Sequence, residues 1–310
     1  MTADPVTQVP AVWVVAAAAL LAAFGYYAAA LDGGMSVRRT ATSALSAPLL
    51  ETARLLRQRR RVTPAADRLL WRVGGAGLLV VALLMITVVP LGAWTLFDVD
   101  VGVVWFNALD VMVWALVWLA GWGANSVYSL VGGYRFLAQA LGYELPLMFA
   151  LVAPVIAAQS LHVGTVAAAQ QGLWFAVWMP VAFGVYCLTV AGFSVWGPMA
   201  AALGADVAGG AGAELSGVDR LLFAAGRYAL LAAGAAFAVP LFLGGGAGPA
   251  LPGWLWVIVK TLALLTVLVW VRRRIPLLRP DKFMEFGWLV LLPLVLVQDL
   301  VVAAVAVGRS

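Results

Sequence analysis

The sequence predicts an all-α fold: a polytopic membrane bundle of eight transmembrane helices, a further amphipathic helix on the cytoplasmic surface, and both termini outside. Three observations predict it. The composition is 64% hydrophobic with only 11% charged residues, and mean hydropathy is +1.01, well beyond a soluble globular chain. Eight apolar segments approach the roughly 20 residues that a spanning helix needs. Between them, the arginines gather in every second loop.

Helices are the natural choice for such segments because hydrocarbon offers the backbone no hydrogen-bond partner. The segments run over 11–31, 73–96, 101–122, 141–161, 173–197, 221–243, 253–271 and 286–307, with Gly and Pro clustered between them, as in GGGAGPALPG at 244–253. We read the 310 residues as one membrane domain, 1–310. The N-terminus, MTADPVTQVP, has no basic region and no clear cleavage site before its apolar run, so the first segment is expected to be retained as a helix.

Arg38, Arg39, Arg54, Arg57, Arg59, Arg60, Arg61, Arg68 and Arg72 lie between the first two spans. Arg135 follows the third, Arg220 precedes the sixth, and Arg272, Arg273, Arg274, Arg279 and Lys282 follow the seventh. The opposite loops carry Asp98 and Asp100, Gln170 and Gln171, or no charge. By the positive-inside rule both termini face outward. In the first inner loop, SAPLLETARLLRQRRR sets Leu49, Leu50, Ala53 and Leu56 against Glu51, Arg54, Arg57 and Gln58. This predicts an amphipathic helix over about 46–60, lying on the membrane surface; a plain basic anchor for anionic lipid is the alternative.

The net charge of +5 comes from these loop arginines, so it argues for topology and not for nucleic acid. One Cys (Cys187) and one His (His162) cannot supply a structural zinc site, an iron–sulfur cluster or a haem pair. No metal or cofactor is expected on this chain, and any redox centre must belong to a partner. No internal repeat is visible, which disfavours a transporter built from inverted halves.

Asp110, Glu144, Arg227, Lys260 and Asp299 fall inside spans. Each costs roughly 2.5–3.5 kcal/mol at a helix centre, so each is a candidate site. Arg227 is close enough to the cytoplasmic end of its helix to snorkel. Asp299, beside Gln298, is expected to serve a polar contact between helices. Lys260 lies about two turns after Pro252-Gly253, without an easy route to water, and is expected to be paired or functional. For Asp110 a structural and a functional reading stand level. His162 reads as an interfacial histidine.

The stretch YRFLAQALGYELP at 134–146 carries Arg135, Gln139 and Glu144. Nine residues make two and a half helical turns, so Arg135 and Glu144 lie on opposite faces, about 13.5 Å apart along the axis. They therefore need different partners. Arg135 and Gln139 share a face.

The longer run GWGANSVYSLVGGYRFLAQALGYELP (121–146) resembles the signature of the H-type membrane subunit of bacterial respiratory complex I (NADH-quinone oxidoreductase). The match falls on Gly121, Trp122, Asn125, Tyr128, Gly132, Arg135, Ala138, Gln139, Tyr143 and Glu144. A second stretch, WVRRRIPLLRPDKFMEFGWLVLLPL (270–294), is similar to another family motif through Trp270, Arg272, Pro276, Arg279, Asp281, Met284, Gly287, Trp288 and Leu291 to Leu294. Lys260-Thr261 matches the Lys-Thr before it, and Pro48, Glu51 and Arg54 keep the spacing of a further triplet. The resemblance extends to the membrane subunits of formate hydrogenlyase and other energy-converting [NiFe] hydrogenases.

The resemblance implies eight core helices in a bacterial inner membrane and no complete active site on this chain. It implies a subunit that anchors a peripheral redox arm and couples electron transfer to proton or ion translocation. Its implied partners are iron–sulfur and hydrogenase-large-subunit-like proteins on the cytoplasmic side, antiporter-like membrane subunits, lipid and quinone. The cofactors, iron–sulfur clusters with a NiFe centre or quinone, would sit in those partners. The proton path would use Glu144, with Glu214, Asp206, Lys260, Asp299 and Arg227. Arm docking would use Arg135, Gln139, Arg272, Arg274, Arg279, Asp281, Glu51 and Arg54.

One loop departs from the family. GPMAAALGADVAGGAGAELSG at 197–217 keeps only Glu214, and Asp206 as stand-in, of an acidic run that in complex I leads to the quinone cavity. Leu215 replaces a tyrosine, and Arg227 stands where a glutamate is usual. Isolated acids relay protons less well than a cluster, which puts quinone coupling in question. Two other functions compete: an autonomous proton or ion transporter using Glu144, Lys260 and Asp299, and a purely structural membrane anchor.

Overall fold

The computed structural model describes residues 6–36, 41–204 and 209–308; Arg38, Arg39 and Asp206 lie outside them. In chain order the described helices are α1 (Val14–Ser36), α2 (Ala41–Arg57), α3 (Arg68–Ile86), α4 (Gly102–Gly123), α5 (Val127–Ala158), the short α6 (Val163–Ala168) and α7 (Phe175–Trp178), α8 (Pro180–Phe193), α9 (Gly217–Phe242), α10 (Gly253–Arg272), α11 (Pro280–Phe286) and α12 (Leu292–Val307). Eight helical stretches are long and apolar enough to cross a membrane: 11–35, 68–86, 102–123, 127–158, 180–202, 217–242, 253–272 and 280–307. The two strands among the described residues, β1 (Thr7–Gln8) and β2 (Trp94–Thr95), form a parallel pair.

The all-α expectation holds, but the boundaries of several spans move for local reasons. The second span starts at Arg68 because Asp67 caps it, its carboxylate accepting from the Leu69 and Leu70 amides at 3.0 and 3.1 Å. It ends at Ile86 because Gly92, in the left-handed region at φ 67°, turns the chain back so that 94–95 can pair with the N-terminal strand. The fourth span begins at Val127, fourteen residues before the expected 141, and runs for 32 residues. Its polar residues Arg135 and Gln139 are tolerated because backbone carbonyls of other segments take up their donors. The fifth begins at Pro180, since proline fits a first helical turn but not a helix interior. The sixth begins at Gly217 instead of 221.

The surface helix α2 covers 41–57, not 46–60. Leu45, Leu49, Leu50 and Leu56 are exposed on it while Leu55 is buried. The Arg54 guanidinium bonds the Glu51 carboxylate at 2.5 and 2.7 Å and holds its pKa below the ordinary carboxylate value.

Small residues let the spanning helices approach closely, as is usual where lipid supplies no hydrophobic drive between helices. A Cβ on Gly74 of α3 would meet the Ala120 amide of α4 at 2.4 Å, and one on Gly226 of α9 would meet Leu78 of α3 at 2.5 Å. Thus α3 packs along both α4 and α9, and Phe106 of α4 stacks on Phe237 of α9 at 3.9 Å between ring centres. On the other side, α5 lies against α4, α8, α11 and α12.

A tight crossing lies at Gly142 of α5. A Cβ on Gly287 would sit 2.1 Å from the Gly142 carbonyl oxygen. Residues Gly287–Leu291 form a single π-helical turn here, joining α11 to α12, and such turns widen a helix locally. A Gly287→Ala substitution is expected to lower stability by about 1–3 kcal/mol, read as a lower melting temperature in detergent. Gly184→Ala, where a Cβ meets nothing within 4 Å inside α8, is expected not to lower it, since alanine is the better helix former.

Candidate functional site

Asn107, Asp110 and Trp114 recur at three- and four-residue spacing on α4, which puts them on one face of that helix. Tyr143 and Glu144 of α5 come up against them. Asp110 and Tyr143 are fully buried, and Glu144 is half-buried. The Asp110 and Glu144 carboxyls interact directly, and Asn107 and Trp114 flank the Glu144 carboxyl. Among the described residues no donor hydrogen reaches either Asp110 oxygen or Glu144 Oε2 in good geometry, and Asn107 Oδ1, Trp114 Nε1 and the Tyr143 hydroxyl are likewise without a well-aligned partner. The site is thus two facing carboxyls in a buried pocket with uncommitted polar groups around them.

As the half-turn argument requires, Arg135 points elsewhere on α5. It donates to the Gly209 carbonyl at 2.9 Å, and fully buried Gln139 donates to the Gly192 carbonyl at 2.9 Å.

The remaining intramembrane candidates do not join this pocket through any direct bond. Lys260 lies in the half of α10 nearer the end of the bundle that carries the β1–β2 pair. Its ammonium donates to the carbonyls of Leu243, Gly245 and Ala247 at 2.6, 2.9 and 2.8 Å and sits 4.5 Å above the Trp174 ring. Gly244 and Gly245 both adopt left-handed backbone (φ 70° and 54°), which turns these carbonyls toward it. Arg227 donates to the Val195 carbonyl, just past the end of α8, and its Nε has no partner among the described residues. Asp299 is buried, and the polar contact between helices expected of it is absent: neither carboxyl oxygen has a donor among the described residues. Glu214 lies in the loop before α9, where its Oε1 accepts from the Ser126 hydroxyl at 2.7 Å. His162 pairs with Asp98 and caps α6.

At the arginine-rich end, a residue passed over in the sequence holds the structure together. Asp32, near the end of α1, is nearly buried and receives Arg272 at 2.5 Å and Arg273 at 2.6 Å, while Tyr228 of α9 donates to it at 3.3 Å. The Arg272 guanidinium also lies 4.5 Å from the Trp196 ring centre. Arg274 stacks on Trp270, and Arg279 pairs with Asp281 at 2.5 Å on the surface. Of the candidate docking residues, Arg274, Arg279, Asp281, Glu51 and Arg54 are exposed, whereas Arg135, Gln139 and Arg272 spend donors within the chain. Asp32 carries the same signal as Asp110, an acid at or inside an apolar helix; only contacts distant in sequence identify the partners of either.

A family model described as NADH dehydrogenase matches residues 8–303. The NADH-quinone oxidoreductase H subunit 1 of Geobacter metallireducens is 38% identical over 266 residues, covering 82% of this chain and 80% of that protein. The corresponding H subunit 2 of Cereibacter sphaeroides is 40% identical over 218 residues, covering 69% and 68%. That of Rhodopseudomonas palustris, also an H subunit 2, is 35% identical over 265 residues, covering 84% and 82%.

Removing the Lys260 ammonium would strand three carbonyls in a water-poor site. Lys260→Met is therefore expected to cost about 1–3 kcal/mol, measured by thermal unfolding in detergent. Asp32→Asn, which leaves two arginines without their counter-charge, is expected to lower the melting temperature as well.

Proposed function

The chain belongs to the NADH dehydrogenase family, as a relative of the bacterial H subunits of NADH-quinone oxidoreductase, and on that premise we propose that it anchors a peripheral redox arm in the membrane and couples electron transfer there to proton translocation. It is a multi-pass protein of the bacterial inner membrane. In this reading the complex is complex I-like or of the membrane-bound hydrogenase type, the whole chain acts as one membrane domain, and its termini face away from the cytoplasm. Electrons pass through iron–sulfur centres, and a NiFe centre or quinone, on partner chains; the residues of this chain hold and move protons.

The observation that carries the proposal is the division of labour along α5. One 32-residue helix bears Arg135, tied to the 209–216 loop, at its arginine-rich end and Glu144, facing Asp110, inside the bundle. A shift of the loop at the arm-facing surface would move the same rigid element that holds the carboxyl. Arg274, Arg279, Asp281, Glu51 and Arg54 present charge directly to the arm, while Arg135, Gln139 and Arg272 position the backbone behind it. Glu214, held by Ser126, with Asp206, is the remnant of the loop's acid relay; so sparse a relay weakens coupling to quinone. Lys260, Asp299 and Arg227 are further candidates for the path, with Asp299 the one whose carboxyl is not committed to a bond among the described residues.

The test is Glu144→Gln in the purified complex, reconstituted in liposomes. Proton translocation per electron is expected to collapse while electron transfer persists. An unchanged ratio would leave the chain a structural anchor, and proton flux through the isolated chain would instead make it an autonomous transporter. Arg274→Glu with Arg279→Glu is expected to reduce copurification of the peripheral arm severalfold, checked by quantifying iron–sulfur subunits against this chain.

A further inference from the structure

We propose that Asp110 and Glu144 work as a single unit, a two-carboxyl store that shares one proton between its members and takes up a second when the complex turns over. The proposal rests on the reading of Glu144 as a proton-path residue and adds Asp110, from a different helix, as its obligatory partner.

Asp110 is 0% exposed, and among the described residues neither of its oxygens accepts a hydrogen bond from an N–H or hydroxyl donor. The group that meets it is the Glu144 carboxyl, reaching across from α5. Two ionised carboxylates cannot hydrogen-bond each other, since both are acceptors only. A carboxylic acid facing a carboxylate can, through a short charge-assisted O–H···O bond.

No compensating cation is at hand among the described residues. The titratable side chains that bear on Asp110 are Glu144 and Tyr143 of α5 and Tyr186 of α8, all anionic when ionised. Tyr186 commits its hydroxyl to the Gly234 carbonyl at 2.8 Å. Two adjacent negative charges in so dry a place would repel strongly and forgo hydration. A shared proton removes one charge and supplies the missing donor. Uptake of one more proton makes both groups neutral acids, and its release restores the singly protonated pair, so one proton moves per cycle and no other bond changes. Half-buried Glu144 is the member that exchanges protons with the surroundings, and sealed Asp110 is the reservoir.

The experiment is infrared difference spectroscopy on the purified complex in H₂O and D₂O, following the protonated-carboxyl C=O stretch as the complex is reduced, together with protons translocated per electron. One deuterium-sensitive band is expected, abolished by Asp110→Asn and by Glu144→Gln alike. The double variant should lose no more coupling than either single one, because residues acting as a unit are not additive. Asp110→Glu, which keeps the acid, should retain the band and coupling, and this guards against loss through misfolding. Two bands that vanish independently, or a band and a proton ratio untouched by Asp110→Asn, would overturn the pair. Loss of the shared band in both variants with an unchanged proton ratio would uphold the pair but refute the reading of Glu144 as a coupling residue.

Discussion

A bilayer supplies no hydrogen-bond partners, so every polar group drawn into this bundle must be answered by another part of the same chain or of a partner. Most are. The Lys260 ammonium is ringed by three carbonyls. Gln170 is fully engaged: its amide nitrogen donates to Val166, Pro240 and Leu241, and its oxygen accepts from the Phe175 and Gly244 amides. Asp32 gathers two arginines and a tyrosine from elements more than 190 positions away. These contacts stitch the loops at the two ends of the bundle, where helix termini would otherwise expose unpaired backbone groups.

Against this background the exceptions stand out. Asp110, Glu144 and Asp299 are carboxyls inside apolar helices with oxygens that no donor reaches among the described residues. A structural role would be expected to saturate them, as Lys260 and Gln170 are saturated. Unfilled bonding capacity is what a group needs if it is to bind and release a proton, because a fully bonded carboxylate has no reason to change state. The distinction separates Lys260 from Glu144, although composition and position made them look alike.

The closeness of helix packing ties these sites to the surface. Gly142 lies two residues before Glu144 and presses against Gly287 at the start of the π-helical turn. Gly132, three residues before Arg135, leaves no room for a side chain against Ala211 of the loop. The helix α5 is therefore held by backbone contacts near both of these residues. Packed elements of this kind switch between arrangements more readily than they deform.

The sequence by itself determined the membrane bundle, its eight crossings, the surface helix and the family, because hydrophobic length, arginine placement and motif spacing are local properties of the chain. It also separated Arg135 from Glu144, since helical periodicity alone puts them on opposite faces. The tertiary structure decided what those residues meet. That Glu144 faces Asp110, that Lys260 is spent on the loop after α9, that Arg227 turns to Val195 and that Asp32 anchors Arg272 all depend on contacts between segments 13 to 240 positions apart. The early start of α5 has the same origin: Arg135 and Gln139 look like loop residues until carbonyls at Gly209 and Gly192 are brought to them. Pairing of buried polar groups is set by how helices cross, and no pattern along one helix records its neighbour.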